Sequence, residues 1–301
     1  MSKILPMLMG SLLVLGGCAS QAPHNAATPA PTAPAPAVAP SQPATRADDN
    51  LNAVAWTQTA PEHDLIYLET FRDAQSQLRE AIKDKNWDAL PKDDRVASYK
   101  GLKPAVILDI DETVLDNSPY QARLIRNHGE FNEADWAAWC KEERARALPG
   151  AVAFTQFAAK HGVAVIYISN RSQDLDAATL DNLRKVGLPV ASAESFLGLG
   201  TILKDCDQVG TEKNCRRQLV GQHYRVLMQF GDQLGDFVTV LSNTQAGRTQ
   251  AIAPYMDWIG HRWFVLPNPT YGSWEPALFN NEWSTPRDQR RQQKIDALRI
   301  D

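Results

Sequence analysis

Residues 105–116 read AVILDIDETVLD, and the two halves of this stretch do different things. Ala105 to Leu108 form an apolar run led in by Pro104, as expected of a parallel strand buried on both faces. The run ends on carboxylates. On an extended backbone, side chains two apart share a face, so Asp109 and Asp111 are expected to project together from the strand's carboxyl end. That is the edge where open α/β sheets carry their chemistry. Two adjacent acids repel, so the pair requires a cation or a shared proton. An oxygen-rich site of this kind suits Mg2+. Taken alone, the same residues also fit an acidic turn that caps a strand, with Thr113 starting a helix.

The downstream sequence separates these readings. Val163 to Ile168 predicts a second buried strand, ending in Ser169-Asn170-Arg171, where the Ser169 hydroxyl could donate to a phosphoryl oxygen. Residues 172–187 read as a helix, with Ser172 or Asp174 as its N-cap and Gly187 as its stop. A third strand is expected over Phe196 to Leu203. Lys204 at its end and Lys213 at the start of a helix predicted over 214–222 are alternative cations for an anionic group. Tyr224 to Phe230 form a further strand that runs into Gly231-Asp232-Gln233-Leu234-Gly235-Asp236. Two more acids thus face the sheet edge of Asp109 and Asp111, which suggests shared metal coordination. Arg262 to Pro267 make a last strand, and Tyr271 lies on the loop that follows, within reach of a substrate.

Upstream, Leu65, Leu68, Phe71, Leu78 and Ile82 recur at helical spacing, predicting one amphipathic helix over 61–85. Residues 88–103 are polar and irregular. Residues 117–148, rich in aromatic and charged side chains, read as a cap inserted beside the site. Trp136 and Trp139 are three apart and share a helical face, so one of them could stack on an aromatic substrate group. The tail from Pro286 reads as a solvated, Arg-rich helix.

The N-terminus is a targeting segment. Lys3, the apolar run Ile4 to Leu15 and Gly16-Gly17-Cys18 are similar to a bacterial lipoprotein signal: residues 1–17 are cleaved and Cys18 is lipid-modified. Ala19 after the cysteine, by resemblance to sorted lipoproteins, favours the outer membrane of the cell envelope. Residues 18–47 are rich in Ala and Pro and form an extended tether. The folded domain is expected over 48–301. A net charge of −4 excludes a general affinity for polymeric nucleic acid but leaves small anions as ligands.

With these segments in order, the chain resembles the class C nonspecific acid phosphatases of the haloacid dehalogenase superfamily. The resemblance rests on AVILDIDETVLDNSPY, YISNR, EKNCRRQLV, GDQLGDF and VLPNPTYGSWE and covers about residues 52–285. It implies a three-layer α/β fold with a mainly parallel central sheet and a small helical cap. It implies hydrolysis of phosphate monoesters, nucleotides among them, with Mg2+ as cofactor. Asp109 would be the nucleophile, and Asp111 would handle the leaving-group proton while its main-chain carbonyl ligates the metal. Asp232 and Asp236 would complete the metal's protein ligands. Ser169, Asn170 and Lys213 would meet the phosphoryl group, Lys213 being preferred over Lys204 because it precedes Arg216 and Arg217. Trp136 and Tyr271 would contact the rest of the substrate, ahead of Trp139 and Tyr224. Related enzymes form dimers, so a homodimer is an expectation too. A bond between Cys206 and Cys215 would suit an oxidising compartment and is left open, with Cys140 expected as a free buried thiol. The rival reading is a non-catalytic surface lipoprotein that binds small phosphorylated ligands.

Overall fold

The computed structural model describes residues 49–300, so the expected signal at 1–17, the lipidated Cys18 and the tether at 18–47 lie outside the described residues. Its strands are β1 (Lys103–Leu108), the two-residue β2 (Leu115–Asp116) and β3 (Arg146–Ala147), β4 (Ala164–Ser172), β5 (Phe196–Leu199), β6 (Tyr224–Gly231) and β7 (Trp263–Val265). Strands β2 and β3 pair antiparallel as a separate small ladder. The other five make one parallel sheet in the order β5-β4-β1-β6-β7. From β1 the chain winds outward through β4 to β5, then returns to β6 on the other side of β1. The direction of winding therefore reverses between β1 and β6, and crevices at such a reversal, at the carboxyl ends of the strands, are where α/β sheets bind ligands.

The helices are α1 (Leu51–Thr59), α2 (Pro61–Lys83), α3 (Ser118–Arg126), α4 (Glu133–Glu142), α5 (Ala151–Lys160), α6 (Asp176–Lys185), α7 (Asn214–His223), α8 (Gln245–Ile252) and α9 (Arg287–Asp296). The two faces of the strands build two cores, the alternation being broken in β6, where Leu227 and Met228 both join the first. Val106, Leu108, Val165, Tyr167 and Phe230 face α2 and α5, whose Tyr67, Phe71, Leu78, Phe154 and Ala158 pack on them. Ala105, Ile107, Ile166, Ile168 and Val226 face the other way, toward Val220 of α7, Phe237 and Trp263. This is a three-layer α/β fold.

Helix α2 opens on Pro61 with Glu62 and Asp64 in its first turn and ends near Lys83, charges that complement the helix dipole. Its buried stripe is Tyr67, Phe71, Ala74, Leu78 and Ala81, while Leu65 of the expected stripe is 60% exposed. Tyr67 and the small alanines join Phe71 and Leu78 against the sheet, and Leu65 does not. The strand predicted over 196–203 stops at Leu199 because Gly200 takes φ +105°, and Ile202 beyond it is 89% exposed. Strand β4 runs past Ile168 to Ser172. A 3-10 turn then leads into α6, whose N-cap position is Leu175, not Ser172 or Asp174, because the Ser172 hydroxyl donates to Asp174 instead.

Residues 117–148 contain α3, α4 and β3. There Tyr120 packs edge-on against Trp136, with ring centroids 5.1 Å apart. The Arg-rich tail is less solvated than expected, since Arg290 is 8% exposed and pairs with Glu130 at 2.8 Å. Among the described residues no helix is long and apolar enough to cross a membrane.

Candidate active site

Asp109 follows β1, and its backbone N–H donates to Phe230 O of β6 at 3.0 Å, fixing where the side chain leaves the sheet. The chain then turns sharply. Ile110 O accepts N–H bonds from Thr113, Val114 and Leu115, and Glu112 takes φ +55°. Because the strand ends at Leu108, Asp109 and Asp111 reach the site from a turn and hold different partners.

Asp109 Oδ1 accepts from Lys213 Nζ at 2.5 Å. The same ammonium donates to Asp236 Oδ1 at 2.7 Å and to Ile168 O at 2.8 Å. Lys213 is buried, and Lys204 is exposed on the loop. The disulfide Cys206–Cys215 is formed, bridging the polar loop to the first turn of α7, two residues beyond Lys213. Cys140 is a free buried thiol, and burial pushes its pKa up to about 12.

Asp232, at the end of β6, accepts from Gln233 Nε2 at 2.7 Å and Asn268 Nδ2 at 2.8 Å. Gln233 also accepts from Ser273 N at 3.0 Å, tying the acid to the Tyr271 loop. That closeness excludes a side chain at Gly272, where a Cβ would lie 2.3 Å from the Gln233 amide. One carboxylate oxygen each from Asp109, Asp232 and Asp236 lie within 4.8 Å of one another. Burial pushes the Asp109 pKa up to about 7 against the pull of Lys213, with Asp236 and Asp111 adding to the rise. Burial, then Asp236 and Asp109, pushes Asp232 well above the usual carboxylate range. Burial opposes the Lys213 charge, but Asp109 and Asp236 outweigh it and the pKa rises. Three crowded, oxygen-only donors around a single ammonium fit a hard divalent cation, which would supply further positive charge.

Asp111 is turned to other partners. Its Oδ1 accepts from Arg171 Nη2 at 2.7 Å, Arg171 Nε at 3.0 Å and Asn117 Nδ2 at 2.8 Å. Its carboxylate therefore stands outside the three-acid cluster, and any metal contact it makes falls to its main-chain carbonyl. The Ser169 hydroxyl donates to Asp111 Oδ2 at 3.3 Å. Asn170 is exposed and accepts from Arg216 Nη2 at 2.8 Å, while Arg216 Nη1 donates to Ser169 O at 2.5 Å. Trp136 is half-buried on the cap with Arg171 Cζ 5.5 Å from its ring centre. Trp139 is buried and donates to Asn117 Oδ1 at 2.7 Å, so its face is not free to stack on a ligand. Tyr224 pairs with Lys103 at the amino end of the sheet, the edge away from the acids. The Tyr271 hydroxyl donates to Glu112 Oε2.

Four residues here went unassigned from sequence. Arg171 had a usable signal, since it stands two residues after Ser169 on one strand and so shares its face. Glu112, Asn117 and Tyr67 had none, because each is fixed in part by a partner distant in sequence: Tyr67 OH donates to Glu112 O at 2.5 Å, and Asn117 meets Trp139.

The arrangement is a carboxylate-and-cation centre at the reversal point of a parallel sheet, the site of a phosphoryl-transfer α/β protein. The family described as HAD superfamily, subfamily IIIB (Acid phosphatase), matches residues 35–274, and the chain belongs to it. The class C acid phosphatase from Bacillus anthracis, also solved with tungstate bound, is 33% identical with a TM-score of 0.71, the alignment covering 83% of this chain and 96% of that one. Among curated relatives, a stem 31 kDa glycoprotein of Glycine max is 29% identical over 55% of this chain and 58% of its own length. Acid phosphatase 1 of Solanum lycopersicum is 28% identical over 55% of this chain and 57% of its own. The chain thus spans little more than half the length of these two.

Proposed function

We propose that the protein hydrolyses small phosphate monoesters, nucleoside monophosphates among them, through an aspartyl-phosphate on Asp109 with Mg2+ as cofactor. The observation that carries this is Asp109 itself: a buried carboxylate at the sheet's reversal point, on a lysine and beside two further acids, with a second aspartate two residues on. A carboxylate attacks a phosphate dianion only where cations cancel the repulsion. Asp109, Asp232 and Asp236 would hold the metal, which adds charge neutralisation at the phosphoryl oxygens. Tungstate bound to the Bacillus anthracis relative, a tetrahedral oxyanion like phosphate, supports the same ligand class.

The chain's own residues account for each transfer. An Asp109 oxygen forms the bond to phosphorus as the ester oxygen leaves, and Asp111 gives that oxygen a proton. Asp111 then takes a proton from the water that attacks the acyl phosphate, releasing phosphate and restoring Asp109. Lys213 offsets charge on the nucleophile and the phosphoryl group. Ser169, whose hydroxyl donates to Asp111 Oδ2 at 3.3 Å, would turn it to an incoming phosphoryl oxygen. Tyr271 and Trp136, on the loop and the cap, would contact the part of the substrate beyond the phosphate. The lipoprotein-type N-terminus supports attachment through Cys18 at the bacterial cell envelope, with Ala19 favouring the outer membrane.

The test is phosphate release from a nucleoside 5'-monophosphate and an aryl phosphate by the purified protein at mildly acidic pH, with and without Mg2+. Metal-dependent turnover is expected. A metal-loaded protein that binds both compounds and turns over neither would make the lipoprotein a binding protein.

A further inference from the structure

Asp111 is set apart from the other acids by a buried arginine. Arg171 is 1% exposed and pairs with no other carboxylate among the described residues. Two of its nitrogens grip Asp111 Oδ1, at 2.7 and 3.0 Å, and Nη1 donates to Thr179 Oγ1 of α6 at 3.4 Å. A buried guanidinium must be well paired to offset its lost hydration, and here Asp111 is the pairing. On the other side of Asp111, Asn117 Nδ2 donates to the same oxygen at 2.8 Å. The amide cannot flip, because its Oδ1 accepts from Trp139 Nε1 at 2.7 Å and Arg171 Nη2 at 3.3 Å. A continuous path thus runs from cap helix α4 through Trp139, Asn117 and Asp111 to Arg171 and α6.

We infer that Arg171 is a positioning residue for Asp111. With Asn117 and Trp139 it holds the Asp111 carboxylate against the cap, where it serves the leaving oxygen, and keeps it out of the cluster formed by Asp109, Asp232 and Asp236. The inference rests on the phosphatase reading above and adds to it a proton-handling acid whose aim is set by the cap. An arginine that instead bound the phosphoryl group would help every substrate alike. One that aims the acid matters only when the leaving oxygen needs a proton.

The test uses that difference. The full-length, Mg2+-loaded protein is assayed by kcat/KM, which reports steps up to leaving-group departure, on an alkyl phosphate and on 4-nitrophenyl phosphate, whose phenolate leaves without protonation. Arg171→Met is expected to lose about 10²- to 10³-fold on the alkyl ester and within about tenfold on the nitrophenyl ester. Asp111→Asn should give the same imbalance, and the double variant should be no worse than Asp111→Asn alone. Arg171→Lys, which keeps the charge without the fork, should fall between. Trp139→Phe removes the N–H that orients Asn117, together with part of the buried ring, and should shift the ratio in the same direction by a smaller factor. It carries the test if Arg171→Met does not fold. Equal losses on both esters, an unchanged ratio in Trp139→Phe, or additive losses in the double variant would overturn the inference. A wild type that hydrolyses neither ester would instead remove the phosphatase reading on which it rests.

Discussion

Two aspartates two residues apart have opposite surroundings. Asp109 is buried on a lysine with acids around it, its pKa pushed up to about 7, whereas Asp111 is 16% exposed at its side chain and gripped by an arginine and an amide. The Asp109 half is built from the carboxyl ends of strands, and the Asp111 half is shared with the cap. On the mechanism proposed above, environment, not residue type, would separate the nucleophile from the proton carrier, as in other enzymes that use two carboxylates.

The comparison can be broken most directly at Asp109. Asp109→Asn is expected to lower phosphate release by about 10⁴-fold or more, since on the proposed mechanism Asp109 forms the acyl phosphate. Retention of more than a tenth of wild-type activity would transfer the nucleophile's role elsewhere. Next comes Lys213→Met, which leaves Asp109 and Asp236 buried and facing each other. It should cost about 3–5 kcal/mol of stability in denaturant melts of the metal-free protein, and about 10²- to 10³-fold in kcat/KM.

The pH dependence sharpens the comparison. Burial raises the Asp109 pKa from the ordinary carboxylate value, near 4 in the unfolded chain, to about 7 in the folded one. The folded state therefore holds more protons between these values. The associated stability is complete below pH about 4 and is lost as pH rises through about 7. Thermal melts of the metal-free protein should show wild type losing more stability than Asp109→Asn over that window, with Mg2+ reducing the loss. Parallel curves would mean that Asp109 is not the acid that titrates. The smallest effect is expected at the disulfide. Replacing Cys206 and Cys215 with serine opens a loop whose ends are 9 residues apart in sequence. This should cost about 2–3 kcal/mol and lower kcat/KM, because Lys213 lies within the loop. An unchanged kcat/KM would show that α7 alone holds the lysine.

The sheet was legible because each strand is an apolar run ending on a polar signal, and those ends gather Asp109, Ser169, Asp232 and Asp236 at one edge. Lys213 could be separated from Lys204 only by resemblance, because the irregular loop between them carries no periodicity. The Arg171 contact was readable from strand parity. The Asn117–Trp139 bond was not, since it spans 22 residues across two helices of the cap. Helix α1 was missed because it buries only Val54, so its sequence shows no apolar stripe. The Tyr271–Glu112 contact joins residues 159 apart and needed coordinates.

An ammonium has three protons, and Lys213 has committed all of them: to Asp109, to Asp236 and to Ile168 O. A phosphoryl oxygen can gain a hydrogen bond from this lysine only by displacing one of those acceptors. Of the three, the backbone carbonyl belongs to a sheet strand and Asp236 is also held by the Gln233 N–H at 2.9 Å. Asp109's second tie, from the Thr113 hydroxyl at 3.3 Å, is the longer one, which makes Asp109 the partner most easily released. On the proposed mechanism, arrival of the substrate would exchange one anion for another at the same cation, so the resting enzyme would keep its nucleophile locked and the ligand it is to attack would unlock it.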